Sequence, residues 1–254
     1  MRITILGSGT SHGVPMIGCK CAICTSTNPK NRRYRPSITV EVNGKVILVD
    51  TSTELRMQSL QFGVDQVDAV MITHTHADHI FGMDDLRRFN DLSGDVIPVY
   101  ANEDHQADIR RIYPYIFDPP KQGGGVPRIS MQPLEEVTMV CDFPVQTVPV
   151  MHGSLPVNGF RFGKFAYVTD TNYIPPSSME LLQGLDTLIL DAVRFRPHST
   201  HFGLDEAVAI VEILKPKQAF FTHLSHDFDH DVVNATLPSY AQLSYDGQII
   251  EISN

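Results

Sequence analysis

The sequence of 254 residues lacks a long apolar run, an excess of basic residues and a dispersed set of cysteines. No stretch approaches the roughly 18 to 20 consecutive apolar residues that a membrane-spanning helix needs. Residues 1–7 pass from a short apolar segment directly into a glycine turn, without the longer apolar region of a secretion signal. We therefore expect a soluble, cytoplasmic protein without a membrane contact.

Positive charge is scarce, because 20 Lys and Arg against 29 Asp and Glu give a formal net charge of −9. A general nucleic-acid binder needs a basic surface that replaces counterions. We therefore expect no stable complex with nucleic acid. The short basic run Arg32-Arg33-Tyr34-Arg35 is the local exception, and it is interpreted either as a solvated loop or as a phosphate contact near a functional site.

The cysteines are too few and too close together for a disulfide framework. Cys19, Cys21 and Cys24 fall within six residues, and clustered cysteines in a cytosolic protein more often bind metal. Three thiolates at this C-x-C-x-x-C spacing can reach one zinc ion and leave a fourth place at a tetrahedral site. His226 is the candidate for that place and His230 is its rival. A zinc-binding loop is predicted at about residues 18–25, with three reduced thiols as the alternative.

Apolar patterning predicts a single α/β domain over residues 1–254, with strands that begin as hairpins and then alternate with helices. The irregular segment 113–133, with its prolines and consecutive glycines, is predicted to be a mobile loop near a substrate. Strands are expected at residues 1–7, 36–50 (a hairpin turning at Asn43-Gly44), 67–73, 96–100, 145–150, 161–169, 187–191, 218–222 and 241–252 (a second hairpin). Helices are expected at residues 54–62, 83–90, 104–112 and 204–214.

The most informative stretch runs from Thr73 to His79, where His74, His76, Asp78 and His79 are all able to bind metal. If the preceding strand continues into this stretch, His74 and His76 point to the same side, because side chains alternate along a strand. Packing four such side chains into a core would carry a heavy desolvation cost. The alternative is a polar surface loop of chance composition.

Three more metal-competent side chains each follow an apolar run: His152, Asp170 and His223. Strand ends are where a rigid scaffold presents functional groups. One such residue alone would be read as a cap or a turn, but three of them together with the cluster predict a metal centre. Imidazole and carboxylate groups accept Zn²⁺, Mn²⁺ or Fe²⁺.

The T-H-x-H-x-D-H motif, followed in order by His152, Asp170 and His223, resembles the metallo-β-lactamase fold hydrolases. The resemblance implies an αββα sandwich, in which helices flank two mixed β-sheets and a dinuclear site lies on one edge. Asp50 matches the buried aspartate that orients this site in the family, with a plain turn residue as its alternative. The resemblance also implies the metal ligands: His74, His76 and His152 for one ion, Asp78, His79 and His223 for the other, and Asp170 as the bridge.

This ligand set implies a hydrolytic mechanism. Two divalent ions about 3.5 to 4 Å apart can share a hydroxide whose pKa falls towards neutrality, and Asp78 is expected to orient that hydroxide. Neutral imidazoles and two carboxylates leave the pair of cations with net positive charge, so the site attracts an anionic phosphate although the whole chain is acidic.

The motif from Gly7 to Pro15, the C-x-C-x-x-C run and the T-H-x-x-H ending at His226 are together similar to the PhnP-type phosphodiesterases, relatives of the tRNA 3′-processing endonucleases. This similarity implies cleavage of ribose cyclic phosphates or 2′,3′-cyclic nucleotides, one structural zinc and a possible homodimer. His201 aligns with a general acid that protonates the leaving alkoxide, with His198 second and a helix-capping or surface histidine as the alternative.

Three functions are weighed on these residues. A small phosphodiester is favoured over RNA, because segment 113–133 carries only Lys121 and Arg128 as basic residues and the sequence has no long basic arm for gripping tRNA. A lactone or thioester hydrolase on the same metal site is the alternative enzyme. A binding protein that kept the fold without catalysis is the third possibility.

Overall fold

The computed structural model describes residues 1–118 and 125–252, which form two seven-stranded sheets. The first sheet has the order β14-β1-β2-β3-β4-β5-β6 and contains β1 (Arg2–Gly7), β2 (Ser37–Val42), β3 (Lys45–Val49), β4 (Ala69–Met71), β5 (Ile97–Ala101), β6 (Ile129–Pro133) and β14 (Ile249–Glu251). The second has the order β13-β12-β11-β10-β9-β8-β7 and contains β7 (Val137–Val140), β8 (Phe143–His152), β9 (Leu155–Phe162), β10 (Phe165–Val168), β11 (Thr187–Asp191), β12 (Gln218–Thr222) and β13 (Ala241–Leu243).

Helices cover the outer face of each sheet. One apolar cluster joins the first sheet to α1, α3 and α4, and another joins the second sheet to α6, α7 and α8. This is the αββα sandwich, so the predicted fold class is confirmed. The α-helices are α1 (Leu55–Phe62), α2 (Ala77–Ile80), α3 (Leu86–Ser93), α4 (Glu103–Ile112), α5 (Pro114–Phe117), α6 (Pro176–Leu181), α7 (Leu204–Leu214) and α8 (His230–Asn234), with 3₁₀ turns at Pro29–Asn31 and Met83–Asp85.

The sandwich forms because central strands are apolar on both faces. On β10, Phe165 and Tyr167 point into the core between the sheets, whereas Ala166 and Val168 pack against the helices of the outer layer. Side chains alternate along a strand, so a run of four apolar residues serves two separate cores. The sequence shows a similar run of consecutive apolar residues at most of the central strands.

Gly82 allows the helix that carries part of the histidine motif to approach the first sheet. A Cβ at this position would lie 2.0 Å from the carbonyl oxygen of Ser52. The amide of Gly82 also donates to the Thr51 carbonyl at 2.9 Å. Only a residue without a side chain permits this contact, which holds α2 against the segment that follows β3.

Three secondary-structure predictions are wrong. Residues 241–252 form no hairpin, because β13 pairs with β12 in one sheet and β14 pairs with β1 in the other. Segment 161–169 is broken at Gly163 into the end of β9 and the whole of β10, which pair with each other. Segment 113–133 contains α5 and β6 rather than only a loop; its residues 119–124 lie outside the described residues. For residues 161–169 and 241–252, the local sequence pattern identified extended chain but not the strands with which it pairs.

Among residues 1–118 and 125–252, no helix combines the length and the apolar character that crossing a bilayer would require.

Candidate metal centre

The candidate ligands meet where strands that run in the same direction end. β3 and β4 are parallel neighbours in the first sheet, and β10, β11 and β12 are parallel neighbours in the second. The carboxyl ends of parallel strands share one edge, and that edge is where α/β folds place their sites. The histidine motif follows β4, and the other candidate residues follow or end β3, β8, β10, β11 and β12.

Three of these residues turn sharply at the strand end. Asp50, Asp170 and His223 have positive φ angles of 63°, 53° and 62°. Left-handed backbone in a residue other than glycine costs about 1 to 3 kcal/mol and clusters at functional sites. Here the conformation directs each side chain back over the edge of the sheet, into the centre of the site.

The first group of ligand atoms comes from His74, His76 and His152. One nitrogen from each lies within 4.8 Å of the others. β4 stops at Met71, so the two motif histidines lie in a loop and not on a continued strand as predicted. They are nevertheless adjacent, with His74 Nε2 2.9 Å from His76 Nδ1.

The second group contains Asp78, His79, Asp170 and His223, all of them buried, with one ligand atom from each within 4.8 Å of the rest. Asp170 lies between its neighbours: one oxygen is 3.3 Å from His79 Nε2 and the other is 3.2 Å from His223 Nε2. Asp170 also falls within 4.8 Å of His152 in the first group. The structure thus brings all seven predicted ligands together, with Asp170 between the two groups.

Asp50 is fully buried and orients His79. Its Oδ2 lies 2.7 Å from His79 Nδ1, which leaves Nε2 free to face the centre. Thr73 holds Asp50 in turn, since its amide and its hydroxyl each donate to the carboxylate at 2.8 Å. The orienting role is therefore the better description of Asp50 than a plain turn residue.

His201 lies at the same edge and pairs with Asp191, a residue that sequence reasoning missed. His201 Nδ1 is 3.0 Å from Asp191 Oδ2, and the pair is buried. The His201 ring stacks on His223 at 4.6 Å and meets His152 edge-on at 4.6 Å. His198 is less buried than His201, and the centroids of the two rings lie 5.0 Å apart. Asp191 ends an apolar run, the same signal that identified Asp170.

His152, like His201, is oriented by a hydrogen bond from its Nδ1, and only the tertiary structure shows the partner. Its Nδ1 lies 2.8 Å from the backbone carbonyl of Thr200. A histidine that donates one ring N–H to a carbonyl presents its other nitrogen as a lone pair. The loop between β11 and α7 therefore orients His152 as well as carrying His201.

The buried carboxylates and imidazoles of the site shift one another's pKa values. Burial opposes ionisation of Asp170, but the charges of His223 and His79 hold the pKa of that carboxyl well below its usual range. Burial lowers the pKa of His79, yet the charges of Asp170, Asp78 and Asp50 raise it well above the ordinary value overall. The buried carboxylates thus make the site a strong attractor of positive charge.

The residues fit divalent metal ions. In the described part of the chain, His79 Nε2 and His223 Nε2 are buried without a hydrogen-bond partner, although such atoms are normally satisfied. Both nitrogens face carboxylate oxygens at the centre of the site. An imidazole and carboxylate set of this kind is chemically suited to Zn²⁺, Mn²⁺ or Fe²⁺.

The cysteine cluster contains His226 and not His230. Nδ1 of His226 lies 3.4, 3.4 and 3.5 Å from the sulfurs of Cys19, Cys21 and Cys24. Ligands around a tetrahedral zinc are about 3.6 Å apart, as Zn–S and Zn–N lengths of 2.0 to 2.3 Å require. His230 packs its ring against Tyr245 instead. A hydrogen bond from the Cys24 amide is the main cause that lowers the pKa of the Cys21 thiol to about 6.

Neither interpretation of the basic run, a solvated loop or a phosphate contact, applies to all of its residues. Arg33 is buried and donates to the backbone carbonyls of Ser225 and Phe228. Arg35 pairs with Glu54 instead of facing solvent freely. Arg32 is exposed, as the solvated-loop interpretation expects, whereas residues distant in sequence cover Arg33 and bind Arg35.

Comparison with known proteins places this site in a family. A model described as a β-lactamase superfamily domain matches residues 45–224. The crystal structure of a diphosphatase from the PhnP family superposes with a TM-score of 0.93 and 43% identity, covering 99% of this chain and 98% of that one. The short form of human tRNase Z superposes with a TM-score of 0.72 over 100% of both chains, but at 17% identity it is similar in fold alone.

A curated relative, an octanoyltransferase of Porphyromonas gingivalis, is 34% identical over 251 residues. The match covers 97% of this chain and 51% of the relative, so the chain spans about half the length of that protein. The name of the relative therefore describes a longer protein, about half of which lies outside the match to this chain. The family model and the PhnP-family structure cover most of the present chain, which belongs to the β-lactamase superfamily and, within it, to the PhnP family of metal-dependent hydrolases.

Proposed function

We propose that this chain uses two divalent cations to hydrolyse small phosphodiesters of the ribose cyclic phosphate or 2′,3′-cyclic nucleotide type. The observation that carries the proposal is the His201–Asp191 pair beside the ligand cluster, with His201 within 4.8 Å of His152 and Asp170. The bound cations would supply a water of lowered pKa as nucleophile and polarise the phosphoryl oxygens.

The residues of the chain divide the remaining tasks. His74, His76 and His152 would hold one cation, and Asp78, His79 and His223 the other, with Asp170 between them. Asp78 would also orient the nucleophile. His201 donates Nδ1–H to Asp191, which leaves Nε2 as the nitrogen that gives a proton to the leaving oxygen. An alkoxide leaves poorly without that proton, and a histidine can supply it near pH 7.

A second candidate is hydrolysis of a diphosphate bridge. It is favoured by the relative of 43% identity, whose structure is described as that of a diphosphatase. A diphosphate linked to two organic groups also carries two bridging oxygens on each phosphorus, so the same cations and the same proton donor could act on it. The two candidates differ in the leaving group, which is an alkoxide in one and a phosphate in the other.

Acyl and RNA substrates have weaker support. The octanoyltransferase relative extends over about twice the matched length. Its name therefore does not assign the octanoyltransferase activity to the half that resembles this chain. The tRNase Z structure is similar in fold alone, and the formal charge of −9 opposes binding of a polyanion. A small anion is different, because it meets only the local field of the cations.

A substrate panel tests the proposal. Chelator-treated protein is reloaded separately with Zn²⁺, Mn²⁺ or Fe²⁺ and assayed on bis-p-nitrophenyl phosphate, ribose 1,2-cyclic phosphate, a 2′,3′-cyclic nucleotide, a dinucleoside diphosphate, a lactone and a thioester. We expect the phosphate diesters to react fastest and the metal-free protein to be inactive. Faster turnover of the lactone or the thioester would refute the proposal, and so would a His76→Ala variant with intact hydrolysis.

The proposal includes a structural zinc held by Cys19, Cys21, Cys24 and His226, whose close approach supports it. Metal analysis of protein purified without added metal should find one zinc ion that survives mild chelation after the active-site metals are removed. A Cys24→Ser variant should lose this ion. Equal zinc content in the variant and the original protein would contradict the assignment.

A further inference from the structure

One short loop contributes to both metal-binding clusters. His223 belongs to the candidate dinuclear site and His226 to the cysteine cluster, and only two residues separate them. The loop is tied to the N-terminal turn by a hydrogen bond from the Leu224 amide to the Ser8 carbonyl at 2.8 Å. A displacement of this loop would therefore disturb a ligand of each cluster.

Arg33 holds the loop from inside the protein. Its side chain is almost completely buried, with the residue 2% exposed. One terminal nitrogen donates to the Ser225 carbonyl at 2.9 Å and the other to the Phe228 carbonyl at 2.8 Å. The two terminal nitrogens of the guanidinium therefore bind carbonyls on both sides of His226. The first of these carbonyls belongs to Ser225, which lies two residues after His223.

The backbone of Arg33 is itself fixed next to the cysteine loop. It forms an isolated antiparallel bridge with Val14, with hydrogen bonds of 2.8 and 2.9 Å between the two residues. Gly9 packs directly against it, since a Cβ on Gly9 would lie 2.8 Å from the Cβ of Arg33. Arg33 therefore connects the glycine turn after β1, the segment before Cys19 and the loop after β12.

The charge of Arg33 is maintained despite its burial. Burial lowers the pKa of the guanidinium to about 10, while the charges of Asp246, Asp229 and Cys24 oppose the change, so the group stays protonated at neutral pH. A lysine at this position would keep the charge but could not donate in a fixed fork to two carbonyls. Removal of the donors would leave both carbonyls without these partners, which is costly in a buried place.

We propose that Arg33 is a positioning residue that sets the loop from His223 to Phe228 and so places one ligand of each metal cluster at once. The inference rests on the proposed function only in taking His223 as a metal ligand. It predicts that the two clusters weaken together when Arg33 is replaced, although the hydrogen bonds of the Arg33 side chain to the described residues go to Ser225, Phe228 and Asn31 and not to a candidate ligand atom.

The test compares the full-length variants Arg33→Met and Arg33→Lys with Arg32→Met. Arg32 is the matched control, because its side chain is exposed and makes no hydrogen bond or ion pair within the described residues. Affinity at the dinuclear site is measured by chelator competition with Zn²⁺. Binding at the cysteine cluster is followed by the thiolate-to-metal absorption of added Co²⁺, and exchange of the amides of residues 224–228 reports on the loop.

We expect Arg33→Met to bind metal about 10- to 100-fold more weakly at both clusters, the range found when groups that orient ligands are removed. Its loop amides should exchange faster. Arg33→Lys should fall between Arg33→Met and the original protein, and Arg32→Met should match the original. If Arg33→Met does not fold, Arg33→Lys decides the question.

Unchanged affinity at both clusters, or a loss at only one of them, would overturn the inference. A lower melting temperature with both affinities intact would also overturn it, because that result describes a purely structural residue. Absence of phosphodiester hydrolysis by the original protein would refute the proposed function instead. It would leave the comparison of metal affinities valid.

Discussion

Replacement of Asp191 by Asn is the sharpest test of proton transfer at this site. Asp191 Oδ2 accepts from His201 Nδ1 at 3.0 Å and from the amides of Thr171 and Phe202 at 3.2 and 3.3 Å. Asn keeps the size and one oxygen for the amides, but it removes the negative charge that accepts the hydrogen bond from His201 Nδ1. A hydrogen bond to a charged group contributes about 1.5 to 3 kcal/mol, which corresponds to about a 10- to 150-fold loss in kcat.

The assay compares two leaving groups. An alkyl phosphodiester releases an alkoxide that must be protonated, whereas bis-p-nitrophenyl phosphate releases a phenolate that leaves without a proton. Asp191→Asn should therefore slow the alkyl substrate by the full factor and the aryl substrate only slightly. Metal content is measured in parallel, because Asp191 Oδ1 is also 3.7 Å from His223 Nδ1. Equal losses on both substrates with full metal content would refute the proton-transfer reasoning.

Three further outcomes are expected. Asp50→Ala removes the partner of His79 Nδ1 at 2.7 Å and should weaken metal binding about 10- to 100-fold in chelator competition; unchanged affinity would exclude the orienting role. Burial lowers the pKa of His223, but Asp170 and Asp78 raise it to about 9 overall, so a proton competes with the metal at lower pH. Apparent affinity should then rise at least about tenfold per pH unit between pH 7 and 9, because the pKa of His79 is raised as well, and a flat profile would contradict this competition. Gly82→Ala places a Cβ 2.0 Å from the Ser52 carbonyl oxygen and should lower the free energy of unfolding by about 1 to 3 kcal/mol, measured by denaturant titration. Gly125→Ala, whose Cβ would meet no described atom within 4 Å, is the control and should change little.

The central strands could be predicted because their apolar runs are local in sequence. The hairpin of β2 and β3 follows from Asn43-Gly44, where both residues have positive φ angles of 54° and 73°, as a two-residue hairpin turn of this type requires. The pairing of β13 and β14 could not be predicted in this way. They are neighbours in sequence but belong to different sheets, and partner choice depends on which edges the rest of the chain leaves open.

The candidate ligands His152, Asp170 and His223 could be identified because each follows an apolar run, and a polar group at that position faces the edge of a sheet. The same signal marks Asp191, which ends the run that begins at Thr187, and it could have been added to the candidates. The choice between His226 and His230 could not be made from spacing, since both follow His223 closely. It was decided by the turn after Ser225, which brings only His226 to the three sulfurs.

By itself, the sequence determined which side chains are chemically able to bind metal and on which strand ends they lie. These properties depend on residue type and on apolar runs of a few residues, and both are local. Only the tertiary structure decided how the groups act on one another: Thr200 on His152, Asp191 on His201, and Arg33 on the loop that follows His223. Each of these contacts joins segments far apart in the chain, so it exists only after the two sheets have packed and brought their edges together.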